Sequence, residues 1–231
     1  MMAAFPFVGA VIAFFEAAWF VFALYVMNVL QKSVSVHFFA LGFTLIPVFV
    51  TGGIHLDGFM DTCDALASHA GTEKKLEILK DSHSGAFAVL GCVLYFLSWY
   101  VLSLELFGSN FTLVLPFFSI FLISRFLSAF AAATFPIAKN SGLIHTFSTA
   151  LARRFTAIWC AFWFILISLA LIYFWNYLGI ALSASCLSIF CFYFVTAVKN
   201  FGGITGDTEG AFVQICELIS LAICVISFKL L

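Results

Sequence analysis

FTAIWCAFWFILISLALIYFW, residues Phe155–Trp175, contains no charge, no glycine and no proline. A helix that crosses a bilayer needs about 20 mostly apolar residues, and this stretch supplies them without a break. Six further runs have the same character: Phe5–Leu30, Val34–Val50, Ala86–Phe107, Phe111–Phe135, Leu178–Val198 and Ala211–Leu231. Composition agrees, with 64% hydrophobic and 9% charged residues and a mean hydropathy of +1.16, where a soluble domain carries about 25% charged residues. Uninterrupted runs of this length predict helices, because barrel strands alternate polar and apolar over about ten residues. The first run lacks a basic leader and is too long for a signal-peptide core, so it reads as a retained span. The expected fold is all-α: a polytopic integral membrane bundle of about seven transmembrane helices with short amphipathic cytoplasmic helices, forming one domain over 1–231.

The few cations orient this bundle. If every run spans, the connections near 52–85, 136–154 and 199–210 share one side and hold Lys74, Lys75, Lys80, Lys139, Arg153, Arg154 and Lys199, against only Lys32 and Lys229 opposite. The rich side is predicted to be cytoplasmic, in a cytoplasmic (inner) membrane. A net charge of −1 leaves no polybasic face, so nucleic acid is excluded as a partner.

Polar chemistry gathers on that same side. In GGIHLDGFMDTCDAL, Gly52–Leu66, the residues Asp57, Asp61 and Asp64 stand at i, i+4 and i+7, which puts them within roughly 60° of one another around a helix. Clustered hard oxygens without cations suit Mg²⁺, which binds through one or two carboxylates plus substrate phosphates. His55 beside Asp57 is a candidate phosphate donor or proton shuttle, and His83 beside Asp81 a weaker one. TEKKLEILKDSHSGAF, Thr72–Phe87, continues as a second helix whose Glu73, Lys74, Lys75 and Glu77 read as a solvated face. Asp81 and Ser82 end that helix where the next span begins, with a carboxylate and a hydroxyl at the membrane rim.

The last polar connection, NFGGITGDTEGA, is rich in glycine, and its backbone N–H groups could cradle a phosphate ahead of a helix. It does not fit the P-loop pattern. Asp207 and Glu209 within it make sense in a phosphate loop if a metal bridges them. Arg125 lies about 15 Å from the cytoplasmic end of its span, where an unpaired charge costs roughly 2.5–3.5 kcal/mol. Glu217 is its natural counter-ion, and bidentate contact with a substrate phosphate is the alternative. Glu16 and Glu105 read as incidental, as do His37, His69 and His145. The seven cysteines form no CxxC pair, and Cys63 has no ligand set for zinc around it.

Four segments in order, TGGIHLDGFMDTCDAL, LEILKDSHSGAFAVL, ISRF and GGITGDTEGA, resemble the cobalamin synthase family, adenosylcobinamide-GDP ribazoletransferase, over nearly the whole chain. The resemblance implies joining of α-ribazole or α-ribazole 5′-phosphate to adenosylcobinamide-GDP, with release of GMP and a requirement for Mg²⁺. Its matching residues are His55, Asp57, Gly58, Asp61, Asp64, Asp81, Ser82, Gly85, Ser124, Arg125, Gly202, Gly203, Thr205, Gly206, Asp207, Gly210 and Glu217. Ala65, where the family often has glycine, and Glu209, where it usually has leucine, depart from it.

The chemistry expected is displacement at phosphorus. Asp57, Asp61 and Asp64, completed by Asp81 or Asp207, hold the metal. The 5′-hydroxyl or phosphate of the ribazole attacks, and Arg125 with Lys80, Arg153 or Arg154 steadies the phosphoryl oxygens. Membrane lipid surrounds the enzyme, and homo-oligomer formation stays open. A lipid-type enzyme, either a phosphotransferase or a prenyltransferase acting on a lipid diphosphate, would also set an Asp-rich helix against Mg²⁺. The glycine-rich and DSHSG segments weigh against it. A transporter would line a path through the bilayer, whereas the polar residues here crowd one side.

Overall fold

The computed structural model describes residues 5–29, 34–107, 111–138 and 150–230. Lys32, Lys139 and His145 lie outside the described residues. Helix α1 spans Phe7–Leu24 and widens into a π-helical turn over Tyr25–Val29. Helix α2, Val36–Thr51, starts on Ser35, whose hydroxyl accepts from the N–H of His37 at 3.2 Å. It stops at Gly52 and Gly53, both left-handed at φ 64° and 78°. Two consecutive residues of positive φ, a conformation only glycine adopts without strain, turn the chain by 93° into α3, Ile54–Ala67.

Helix α4 covers Thr72–Ile78 and α5 Ala86–Phe107. The run expected at Phe111–Phe135 is divided: α6, Phe111–Phe118, contains Pro116, and α7, Ile120–Thr134, follows Ser119. The runs expected at Phe155–Trp175 and Leu178–Val198 belong to one helical stretch, α8, Ala150–Phe201, broken at Asn176 by a non-helical φ of 44°. Helix α9 covers Gly206–Leu230. It begins five residues before the expected Ala211, because the glycine-rich segment turns helical as soon as its threonines cap it.

Among the described residues, five helices are long and apolar enough to cross a membrane, or six if α2 and α3 form one bent span. The protein is thus an all-α, multi-pass membrane bundle. Its core is aromatic, with Phe20, Phe39, Phe43, Trp99, Phe117 and Phe121 all fully buried. Phe49, Tyr173 and Tyr177, on α2 and around the Asn176 break, stand exposed on the perimeter, where lipid replaces water.

The polar connections meet at one end of the bundle. Ile137 and Ile204 form a parallel bridge. Lys75 on α4 reaches Asn200 near the end of α8 at 2.7 Å. Asp64 on α3 accepts from the N–H groups of Gly85 and Ala88 at 2.5 and 2.9 Å.

Candidate active site

Helix α3 does not lie on the surface. It packs against the first turns of α5 and α9, and the contact with α9 is made backbone to backbone. A Cβ on Gly58 would stand 2.7 Å from the Cα of Asp207, and one on Gly210 would stand 2.8 Å from the carbonyl oxygen of His55. Two glycines, one on each helix, therefore set how closely α3 and α9 approach. That approach brings Asp57, Asp64 and Asp207 all within electrostatic reach of Asp61, and Asp57 within reach of Asp207. Asp57 is exposed, while Asp61 and Asp207 are half-buried. Among the described residues no cation forms an ion pair with Asp57, Asp61 or Asp207.

Asp64 differs from its neighbours. Both of its oxygens are engaged by N–H groups at the head of α5, so it caps that helix and fixes α3 to it. No group of three or more His, Cys, Asp or Glu side chains among the described residues stands close enough together to hold a metal ion unaided.

His55, half-buried in the first turn of α3, has the edge of the Phe5 ring against it at 6.2 Å between centroids and Arg125 within electrostatic reach. Arg125 itself is fully buried and forms an ion pair with Glu217, which is equally buried. Ser124 joins them, accepting from Arg125 Nη1 at 2.9 Å and donating to Glu217 Oε1 at 2.9 Å. The counter-ion reading of Arg125 is the one the structure realises. Ser124, Arg125 and Glu217 knit α7 to α9 beneath the acids and present no surface to a ligand.

Asp81 is exposed just beyond the end of α4 and is engaged by His83. Its Oδ1 accepts from the N–H of His83 at 3.0 Å and meets His83 Nδ1 at 2.8 Å. The bond from the His83 ring, followed by that from its backbone, holds the Asp81 carboxyl below the usual carboxylate range. Lys80 and Ser82 beside it are exposed. Arg153 donates through Nε to the carbonyl of Ala133 at 3.1 Å, and Arg154 is exposed one residue on.

The glycine-rich turn departs from the expected phosphate cradle. The N–H groups of Gly202 and Gly203 close onto the carbonyls of Val198 and Ala197, and that of Ile204 onto Pro136. Gly203, at φ 153°, is also where a Cβ would collide with the backbone of Pro136 to Ala138. Thr205 and Thr208 then cap α9 reciprocally, each hydroxyl accepting from the other's N–H at 3.1 and 2.9 Å. Gly202 and Gly203 serve the turn, and it is Gly206 that borders open space at the head of α9. A threonine three residues after a threonine, ahead of an apolar run, was the visible signal for this cap. The Lys75–Asn200 contact and Glu16, which has no exposed surface at all, had no comparable signal.

A profile of the cobalamin-5-phosphate synthase family matches residues 1–225. The chain belongs to this family. Among its relatives, an adenosylcobinamide-GDP ribazoletransferase of Lachnoclostridium phytofermentans is 36% identical over 177 residues, covering 77% of this chain and 67% of that protein. The proteins of the same name from Fusobacterium nucleatum and a Geobacillus species are 30% and 32% identical, covering 93% and 91% of this chain and 84% and 79% of their own lengths. No solved structure matches it. Membership in the cobalamin-5-phosphate synthase family makes the chain a transferase of cobalamin biosynthesis, and the matched span contains the whole acid face.

Proposed function

We propose that this protein is a Mg²⁺-dependent adenosylcobinamide-GDP ribazoletransferase with seven membrane crossings and its acid face turned to the cytoplasm. It joins α-ribazole or α-ribazole 5′-phosphate to adenosylcobinamide-GDP and releases GMP. The observation that carries the reading is the gathering of Asp57, Asp61 and Asp207, from two helices distant in sequence, with no ion pair to a cation among the described residues. A transporter's carboxylates would follow the membrane normal; these collect at one end. The seven crossings count α2 with α3 as one bent span and divide α8 at Asn176.

The donor set fits a hard divalent cation. Mg²⁺ takes one or two carboxylates and completes its shell with water and phosphate oxygens, so a cage of three side chains is not required. Asp57, Asp61 and Asp207 would hold it; Asp64, committed to the α5 cap, would support Asp61 from beside. When bound, the ion supplies charge neutralisation on the diphosphate and its leaving GMP.

The remaining chemistry falls to the chain. A hydroxyl oxygen of the ribazole attacks the β-phosphorus, the bond from that phosphorus to the oxygen of GMP breaks, and the hydroxyl proton leaves. The family is named for a cobalamin-5-phosphate product, so with a phosphorylated acceptor that phosphate is carried through unreacted. This revises the expectation of a phosphate nucleophile, and it means that a base is required with either acceptor. His55, adjoining Asp57, is the group we assign to take the proton. Buried Arg125 acts from below by its field on His55 and not by contact with the phosphate.

Purified protein incubated with Mg²⁺, adenosylcobinamide-GDP and ribazole phosphate is expected to release GMP, and EDTA to abolish this. Product with a CDP-alcohol and none with the corrinoid would replace this reading with a lipid phosphotransferase.

A further inference from the structure

Lysine is almost never fully buried unless paired. Lys75 is only 8% exposed, although its neighbours Lys74 and Glu77 form an ordinary exposed pair at 2.8 Å. Its ammonium donates to Asn200 Oδ1 at 2.7 Å, and Asn200 Nδ2 donates in turn to the carbonyl of Thr196 at 3.0 Å, which fixes the amide with its oxygen toward the lysine. Helix α4, seven residues long, is too short to persist alone in water. It is held by this bond and by a small apolar cluster of Ala65, Leu79 and Phe201.

Asn200 and Phe201 immediately precede the Gly202–Gly203 turn, whose N–H groups are spent inside the bundle and which leads directly into Asp207. The chain of contacts is closed: α3 continues into α4, α4 bonds the end of α8, the turn carries α8 into α9, and Asp207 of α9 returns to Gly58 of α3. We infer that Lys75 is a positioning residue, whose bond to Asn200 latches α4 onto the glycine-rich turn and so sets the spacing between Asp207 and the Asp57–Asp61 face.

This inference rests on the proposed Mg²⁺ site, and the test separates the two. Lys75→Met keeps the aliphatic stem and removes the donor; Asn200→Ala removes the acceptor; Asn200→Asp keeps one. In full-length protein in nanodiscs, both bond-breaking variants are expected to raise the Mg²⁺ concentration for half-maximal GMP release about tenfold, the usual penalty for losing a group that supports metal ligands. They should also speed amide exchange over 202–208 about tenfold, read by mass spectrometry without substrate or metal. Asn200→Asp is expected to match the parent in both. A folded Lys75→Met protein with unchanged exchange over 202–208 overturns the latch, and so does a fall in thermal stability with an unmoved Mg²⁺ requirement. If the parent needs no Mg²⁺, the proposed metal site fails while the exchange measurement still decides the latch. Should Lys75→Met not fold, Asn200→Ala is read against Asn200→Asp by the same criteria.

Discussion

The Ser124–Arg125–Glu217 knot and the Asp57–Asp61–Asp207 face share helix α9 and differ in every other respect. The knot has no exposed surface, and its opposite charges meet each other. The face is open at Asp57, half-buried at Asp61 and Asp207, and all of one sign. A buried pair that lost one member would leave the other stranded in a low dielectric, so charge there is held for the architecture. A patch of unpaired like charge raises the free energy of the empty protein and is relieved by a ligand of opposite sign. The contrast separates charges that hold α7 to α9 from charges left without a partner of opposite sign among the described residues.

The sharpest way to break this contrast is to disrupt the knot. Arg125→Met should destabilise the protein by about 3–5 kcal/mol through the stranded Glu217, seen as loss of the monodisperse peak in detergent. Arg125→Met with Glu217→Leu should recover much of it; no recovery would mean that the two residues are not coupled.

At the open face the expected effect is on rate. Asp57→Asn and Asp61→Asn should each lower GMP release about 100-fold while thermal unfolding stays close to that of the parent. Near-parental turnover in folded protein would end the metal-site reading. Gly58→Val tests the contact that assembles the face: its side chain must displace the Asp207 backbone, at about 1–3 kcal/mol, and the Mg²⁺ requirement should rise with it.

Two smaller effects sharpen the division within the acids. Asp64→Ala should cost about 1 kcal/mol as a lost cap, with Asp64→Asn retaining part of it; a thermal shift in the parent's Mg²⁺-free state checks this. His83→Ala should return the Asp81 carboxyl upward to the ordinary range, followed by carbon NMR of labelled aspartate. The Asp81–His83 contact is present above the usual carboxylate pKa and is lost as pH falls through the lowered one. No change in turnover near neutrality is expected from it.

Several features were legible in the chain because each depends on local periodicity. Apolar runs of span length, three aspartates on one helical stripe and an arginine too deep to be left unpaired all follow from spacing and hydropathy alone. Asp64 shows where this stops. Its position on the stripe matches that of Asp57 and Asp61, yet the head of α5 happens to reach it, and two backbone N–H groups claim its oxygens. The glycine-rich turn shows the same limit from the other side, since whether an N–H group is free depends on carbonyls such as that of Pro136, distant in sequence.

By itself, then, the sequence determined that this is a helical membrane protein with its acids clustered near one end, because insertion of apolar helices and the repeat of a helix are properties of short segments. Only the tertiary structure decided which acids are open and which are spent, that Lys75 is buried on Asn200, and that α3 turns inward to meet α9. Those outcomes depend on which backbones and side chains the packing brings together, as where Gly58 admits the backbone of Asp207 and Gly210 that of His55.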